Sequence, residues 1–514
     1  MPGLAGIVGG DSAALDRMIA ALRHFDWYKT DRHVEPGFAI AHVHLAILPA
    51  TRWLHGEETD GFTRVEFNDG TVTITNDRFG MMPLFYTVTN GALIFATELK
   101  AVLAVVKPVI DERGLADLLA FGFCFGEKTL AAGVKCLPGG ARLRYDTRTG
   151  QSKLERTWDI RQQFGRRDGN LDVIADKFRR AVESRCTGNI GVSLSGGYDS
   201  RTIHAAIDHR RHRIQSLTLD VRGGADQIIS EQIARVTNGV ENHTFIENSD
   251  DFFAKWPTYV REMVWLTDGM FFDEACVMMS TLDRYRQLGI EVALRGHGGE
   301  LARMQWAYEF TCNRQILACR TQAELKAQLL RQLNFGLPAN ELARASLDEA
   351  FEGIDPAWHP IDQVSCVYAQ EYLRRQSAAS LTELRSRIEV RLPFLDADYV
   401  DAVLRLPPEQ RLGTGVHRHL LTKLNPALLK ITNSNTGAPA GASDFVQRLY
   451  RKAGILAKRY FGYERYRHYV DVAAWLRGPL RKPVAEILGD VDTQHPEATL
   501  LRLYLELWRQ MNKC

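Results

Sequence analysis

The chain has 514 residues, 45% of them hydrophobic and 25% charged, with a formal net charge of +2 at pH 7. This length predicts two domains, each large enough for its own core, and the composition is that of an ordinary globular protein. The balanced charge predicts no global attraction to nucleic acid, and no apolar run has the length that a membrane span needs.

Cysteine usage and the N-terminus indicate a cellular compartment. The eight cysteines are scattered without a CxxC pair, which favours reduced thiols over a disulfide framework or a zinc site. The first residues, MPGLAGIVGGDSAALDRM, lack the basic region and the long apolar stretch of a signal peptide. We therefore expect a cytoplasmic protein.

Residues 1–160 are predicted to form a small antiparallel sheet domain. Short β-rich runs such as RVEFNDGTVTITND and PLFYTVTNGALIFATE dominate this part of the chain. The NDG and TNG tripeptides supply the Asn and Gly residues that tight hairpin turns need. A helix or two, such as ERGLADLLAFGF, completes the domain.

Residues 170–514 follow the polar stretch RQQFGRRDGN and show a different pattern. Apolar residues recur at helical spacing from Leu171 onwards, and strand-like runs then alternate with helices. The runs are NIGVSLS, IQSLTLD, NHTFI and IEVALRG. Such alternation predicts an α/β fold in which helices cover both faces of a parallel sheet.

One turn in this second part has the composition of a phosphate-binding loop. The sequence SGGYDS directly follows the strand-like run NIGVSL, where ligands bind in parallel α/β sheets. Gly196 and Gly197 let the backbone approach an anion, and the neighbouring N–H groups and serine hydroxyls can surround phosphate oxygens. Asp199 would repel a bare phosphate, so its presence favours a bridging Mg²⁺. The alternative is a plain strand-to-helix turn with Asp or Ser as a cap.

This loop resembles the pyrophosphate loop of the ATP pyrophosphatase superfamily. Further segments, NDRFGMMPLFY, CLPGGARLRYD, TDGMFFDEA, LRGHGGE and RIEVRLPFLDADYV, resemble class B asparagine synthetases and their β-lactam synthetase and lasso-peptide cyclase relatives, in the same order. The resemblance covers roughly residues 5–440. It implies an N-terminal Ntn-hydrolase-like, glutaminase-type α+β domain and a C-terminal ATP-pyrophosphatase domain with a parallel sheet flanked by helices.

The family's chemistry is adenylation of a substrate carboxylate by ATP, followed by attack of a nitrogen nucleophile to give an amide, AMP and pyrophosphate. The resemblance implies that ATP and Mg²⁺ are the cofactors and that Asp199 and Glu300 share the metal ion, although the family more often has Asp where Glu300 stands. The implied nucleotide-binding residues are Leu194, Ser195, Gly196, Gly197, Asp199, Ser200, Leu219 and Gly296, with the two leucines beside the adenine.

Departures from the family pattern concern the reacting centre. His297 replaces a family glutamate, so it is either a general base or a structural hydrogen-bonding group in a glycine loop. Glu389 is its best carboxylate partner by sequence. Asp268 and Asp273 match aspartates of the family. In this chain they either support the metal ion or the substrate, or they cap helices. Asn435 stands where the family has lysine, so another cation, or a changed mechanism, is expected.

The nitrogen source is expected to differ from that of glutamine-dependent relatives. The family's N-terminal CGI appears here as Ala5-Gly6-Ile7, and alanine has no nucleophile. We therefore expect a degenerate glutaminase domain and an amine inside the activated substrate, as in lasso-peptide macrocyclisation or β-lactam closure. The expected partner is a carboxylate substrate. If that substrate is a peptide, a leader peptidase is a further partner, and the oligomeric state stays open. The alternatives are an asparagine synthetase using free ammonia and a non-catalytic homologue, with a tRNA-thiolating relative well behind.

Overall fold

The computed structural model describes residues 3–48, 53–56, 58, 60–237, 241–246, 250–272, 275–334, 336–461, 466 and 470–513. Within these ranges, no helix combines the length and the apolarity that crossing a membrane requires.

The N-terminal part consists of two antiparallel sheets and three short helices. The strands are β1 (Leu4–Val8), β2 (Lys29–Glu35), β3 (Phe38–His44), β4 (Leu54–Gly56), β5 (Phe62–Asn68), β6 (Thr71–Asn76), β7 (Phe85–Thr89), β8 (Ala92–Ala96), β9 (Lys135–Cys136), β10 (Ala141–Asp146) and β11 (Ser152–Arg156). Their order is β2-β3-β1-β8-β7-β9 in one sheet and β11-β10-β6-β5-β4 in the other. The helices are α1 (Leu15–Leu22), α2 (Leu99–Leu103) and α3 (Glu112–Phe121).

Alternation along the strands decides what each sheet face covers. In β1, Leu4 and Val8 belong to the core cluster that both sheets share, whereas Ala5 and Ile7 belong to the larger cluster that includes helix α1. The predicted hairpins are present: Asp69 and Asn90, each followed by glycine, adopt positive φ angles of 48° and 50° between paired strands.

The C-terminal part is built on a five-stranded parallel sheet. Its strands are β12 (Ile190–Ser193), β13 (Ile214–Asp220), β14 (Glu241–Ile246), β15 (Val292–Leu294) and β16 (Glu389–Arg391), in the order β14-β13-β12-β15-β16. The chain leaves β12 towards β13 on one side and returns to place β15 on the other. This reversal makes the carboxyl end of β12 a topological switch point, the usual place for a ligand in such a sheet.

Sixteen helices among the described residues accompany this sheet. They are α4 (Leu171–Glu183), α5 (Tyr198–Ala206), α6 (Ala225–Val236), α7 (Asp250–Leu266), α8 (Leu282–Gln287), α9 (Arg314–Ala318), α10 (Gln322–Leu333), α11 (Glu341–Ala350), α12 (Pro360–Val367), α13 (Ala378–Arg385), α14 (Ala397–Leu404), α15 (Gly415–Leu424), α16 (Asp444–Phe461), α17 (Val472–Arg477), α18 (Arg481–Leu488) and α19 (Pro496–Asn512). A π-helical segment, Tyr368–Ser377, joins α12 to α13.

A buried ionic cluster connects the two parts of the chain. Asp268, just after α7, accepts the backbone N–H groups of Leu99 (2.7 Å) and Lys100 (2.9 Å) at the start of α2. The Lys100 ammonium lies 3.4 Å from Asp268 Oδ1 and 2.5 Å from Glu98 Oε2. Asp268 therefore caps a helix of the other half of the molecule, one of the two roles that its sequence position left open.

We predict that Asp268→Asn destabilises the protein by about 2–4 kcal/mol, because it leaves a buried ammonium with one of its two anions and weakens two backbone hydrogen bonds. The free energy of unfolding in urea measures this. Asp176→Asn is the matched control: its exposed partner Arg179 lies 3.1 Å away, and such pairs contribute within about 0.5 kcal/mol. Equal effects of the two substitutions would contradict the role assigned to Asp268.

Candidate functional site

A cleft of about 350 Å³ opens at the carboxyl ends of β12, β13 and β15. Eight of the predicted site residues line it: Leu194, Ser195, Asp199, Ser200, Leu219, Gly296, His297 and Glu300. A larger cleft of about 460 Å³, with Arg161 and Arg374 in its wall, contains none of the predicted residues. We place the candidate site in the smaller cleft because the phosphate-loop sequence and the switch point of the sheet coincide there.

The SGGYDS loop forms a tight turn into helix α5. The Ser195 N–H donates to Ser200 Oγ at 3.0 Å, and the two serine hydroxyls lie 3.1 Å apart. The Gly196 N–H donates to Asp226 Oδ1 at 2.8 Å. A side chain at Gly196 would meet Ser434, since a Cβ there would lie 2.7 Å from Ser434 Cβ. The segment ITNSNTGAP, which carries Asn435, therefore packs against this loop.

Asp199 and Glu300 lie side by side and share one arginine. Arg303 Nε lies 2.9 Å from Asp199 Oδ1, its Nη2 also contacts the second Asp199 oxygen, and Nη2 is 3.1 Å from Glu300 Oε1. Burial opposes ionisation, yet the Arg303 and His417 side chains hold the pKa of Asp199 well below its usual range. Burial raises the pKa of Glu300, against the effect of Arg303.

The fourth oxygen of this pair, Glu300 Oε2, is also engaged, and a histidine lies against Asp199. Glu300 Oε2 accepts from the Tyr368 hydroxyl at 3.0 Å and the Gly298 N–H at 3.1 Å, and His417 Nε2 lies 2.9 Å from Asp199 Oδ1. Among the described residues, no group of three or more His, Cys, Asp or Glu side chains could hold a metal ion. The Arg303 guanidinium lies against both carboxylates, so the pair in this arrangement does not fit the Mg²⁺ that the sequence assigned to Asp199 and Glu300.

His297 is half-buried and neutral at neutral pH. Its Nε2 lies 3.2 Å from Ser380 Oγ, and burial together with the cations of Arg295 and Arg385 lowers its pKa to about 3. An imidazole with so low a pKa accepts a proton poorly at neutral pH, so this environment disfavours a general base.

The two carboxylates predicted to assist catalysis differ in position. Glu389 pairs with Val292 at the amino end of β15, whereas His297 follows the carboxyl end of that strand, and Glu389 lies 3.6 Å from Arg391 Nη1. This separation disfavours the predicted pair of His297 and Glu389. Asp273 lies outside the described residues.

Three residues in or next to the cleft were not predicted from the sequence. Asp226 accepts a hydrogen bond from the phosphate-loop backbone, and Arg295 donates to Ser193 Oγ at 2.6 Å. Arg303 stands three residues after Glu300, one helical turn away, and this spacing was the available signal for an ion pair. Asp226 and Arg295 had no comparable signal, because their contacts depend on how neighbouring strand ends meet.

Comparison with known proteins identifies the family. The asparagine synthase family model matches residues 173–429, half of the chain, and a glutamine amidotransferase domain model matches residues 62–158. The chain thus belongs to the asparagine synthetase family. Its two-part fold, a sheet domain followed by a parallel-sheet domain, agrees with the expectation from sequence.

Named relatives are similar over much of the chain. A putative glutamine-hydrolysing asparagine synthetase of Mycobacterium bovis is 26% identical over 410 residues, which are 68% of this chain and 61% of that protein. Asparagine synthetase 1 of Bacillus subtilis, also named as glutamine-hydrolysing, is 22% identical over 410 residues, 69% of this chain and 63% of that protein. The chain spans about three fifths of the length of these relatives. The solved NMN synthetase of Francisella tularensis has a TM-score of 0.22 and 13% identity, covering 39% of this chain and 94% of that one, too low a similarity for any argument.

We predict that Gly299→Ala disturbs the cleft. The new Cβ would lie 2.3 Å from Asp199 Oδ1, so the carboxylate must move and its contacts with Arg303 and His417 must lengthen. We expect a loss of about 1–3 kcal/mol in stability and an ATP affinity about tenfold weaker or worse. Thermal unfolding and calorimetric titration with ATP measure the two effects.

Gly454→Ala is the matched control for this prediction. Gly454 lies in the exposed helix α16, and among the described residues no atom beyond the local helix backbone comes within 4 Å of an added Cβ, so alanine there should stabilise the helix by about 0.5–1 kcal/mol. Normal ATP binding and stability in the Gly299→Ala protein would show that Asp199 is not held as described.

Proposed function

We propose that this chain is an ATP-dependent ligase that activates a substrate carboxylate and joins it to nitrogen as an amide. The observation that carries the proposal is the SGGYDS loop at the switch point of the parallel sheet, in a chain of the asparagine synthetase family. This chain covers only about three fifths of the length of the named relatives, so we propose their activity for it and do not carry it over as established.

The proposed reaction has two balanced steps. A carboxylate oxygen of the substrate attacks the α-phosphorus of ATP, and the bond to the β-phosphate breaks, which releases pyrophosphate and leaves an acyl adenylate. A nitrogen then attacks the acyl carbon, loses a proton, and AMP departs. The carboxylate needs this activation because it is otherwise a poor acyl donor.

The loop residues are proposed to receive the pyrophosphate. The N-terminus of α5 and the hydroxyls of Ser195 and Ser200 direct donors to the place where negative charge collects as the β-phosphate leaves. Leu194 and Leu219 line the same cleft and offer backbone groups to the adenine. A neutral His297 is proposed to hold the substrate through a hydrogen bond and not to remove the nitrogen's proton.

We further propose that the nitrogen does not come from glutamine. Ala5 is fully buried in the middle of β1, paired with Ala41 of β3 and Ala96 of β8. Neither a thiol nor a terminal amine is present at that position, and the glutamine amidotransferase match begins only at residue 62. An amine within the activated substrate is the source that we favour, as in macrocyclisation; free ammonia is the alternative.

A peptide substrate is supported by the surface of helix α16. Phe445, Leu449, Leu456 and Tyr460 are at least half exposed along one face of this helix. Basic residues flank this apolar stripe along the helix: Arg448, Arg451, Lys452, Lys458 and Arg459. Arg451 also stacks on the Trp306 ring, 5.1 Å from its centroid, and Trp306 contacts Arg303 in the cleft. An acidic peptide with apolar residues matches this surface in charge and polarity.

The ligase proposal is tested by mixing purified protein with ATP and a set of acids that includes peptides with Asp or Glu side chains. We expect AMP and pyrophosphate in equal amounts, only when the correct acid is present. Asp199→Asn should lower the rate by about a hundredfold or more, because it disorders the charged groups beside the loop, while Asp176→Asn should leave it unchanged. Formation of ADP and phosphate instead would refute adenylation.

The nitrogen source is tested separately by measuring glutamate released from glutamine, with and without ATP and the acid. We expect none above the level of a sample without protein, because Ala5 supplies no nucleophile. One glutamate per amide formed would instead make the protein an ordinary glutamine-dependent synthetase. Product that requires added ammonium but no glutamine would support the alternative with free ammonia.

A further inference from the structure

The position expected for a metal ion is filled by a side chain of the protein itself. All three nitrogens of the Arg303 guanidinium are engaged: Nε and Nη2 with Asp199, Nη2 also with Glu300, and Nη1 with the Trp306 carbonyl at 2.8 Å. A planar cation with three fixed partners is a geometrically complete ion-pair site.

The surroundings leave little freedom for this arrangement to rearrange. The exposed fractions of the side chains are 11% for Arg303, 17% for Asp199 and 5% for Glu300. Asp199 is confined by the backbone of two glycines, since a Cβ at Gly296 would lie 2.7 Å from Asp199 Cβ and one at Gly299 would lie 2.3 Å from its Oδ1. A divalent ion would have to expel a buried guanidinium that has no other acidic partner among the interactions described for it.

We propose that Arg303 is the resident cation of this site and takes the place of a divalent ion bound directly by Asp199 and Glu300. The guanidinium neutralises one of the two negative charges and keeps the carboxylates together without metal. Any ion that accompanies the nucleotide is then held by the phosphates and not by this pair. The proposal concerns what occupies the site and does not depend on the amide-forming activity.

Two situations produce the same contacts but differ in their response to metal. If Arg303 is the resident cation, the wild-type pair has no affinity for a divalent ion of its own, and removing the guanidinium creates that affinity. If Arg303 is only a passive partner that moves away when metal arrives, the wild-type pair binds metal already. Titration with Mn²⁺ in the absence of nucleotide separates these situations.

The experiment measures free Mn²⁺ by electron paramagnetic resonance as it is added to the full-length protein without nucleotide. We expect Arg303→Met to bind one Mn²⁺ at concentrations at least about tenfold below any at which wild type takes up the ion, because two adjacent carboxylates lose their cation. Arg303→Lys, which keeps a positive charge, should stay near wild type. Arg451→Met is the matched control: the same substitution at the other arginine beside Trp306 should leave the Mn²⁺ affinity unchanged.

A further variant locates the new ion. Adding Asp199→Asn to Arg303→Met should remove the gained Mn²⁺ affinity, since the carboxylate pair is then incomplete.

Circular dichroism establishes that each variant is folded. Should Arg303→Met not fold, wild type and Asp199→Asn decide the matter alone: wild-type protein that takes up no Mn²⁺ supports the proposal. Stoichiometric Mn²⁺ binding by wild type that Asp199→Asn abolishes would overturn it, as would a folded Arg303→Met protein with unchanged affinity.

Discussion

The parallel pairing of β12 with β13 on one side and β15 on the other brings the candidate site together. Parallel strands end at the same edge of a sheet, so the segments that follow β12 and β15 meet, although about a hundred residues separate them in sequence. Asp199 comes from the first of these segments and Glu300 from the second. Gly296 and Gly299 are needed at this meeting point because Asp199 packs directly against their backbone.

Packing between the two parts of the chain makes the N-terminal domain necessary for stability, whatever its catalytic role. One continuous hydrophobic cluster extends from helix α1 to helix α19, so the two parts of the chain share an interior, in addition to the cluster between the two N-terminal sheets. Asp268 contributes the charge that holds the start of helix α2, and Arg385 of helix α13 donates to the Met81 carbonyl of the N-terminal part at 2.5 Å. Removing this domain would expose apolar surface and leave buried charges unpaired, a large loss for a protein of ordinary stability.

Sequence predicted the features that arise from local chemistry. The NDG and TNG turns, the parallel strands and the SGGYDS loop could be read from composition and spacing because backbone geometry alone requires those residues. The state of His297 could not be read in this way. Its pKa depends on burial and on Arg295 and Arg385, the second of which lies on a distant helix. The role of Arg303 depends likewise on the folded distance to Asp199, 104 residues earlier in the chain.

The departures from the family pattern all concern charged or reactive groups. The sequence resemblance implies a carboxylate at the position of His297, a lysine at that of Asn435 and a nucleophilic cysteine at that of Ala5. These differences replace a carboxylate, an amine and a thiol, and Arg303 places a fixed cation beside the SGGYDS loop. Because the imidazole of His297 is neutral and Arg303 is already paired with Asp199 and Glu300, discrimination between substrates rests more on shape and on fixed hydrogen bonds. A substrate that carries its own amine is consistent with such a site, because the nitrogen then needs neither a glutamine pocket nor an acidic residue to attract it.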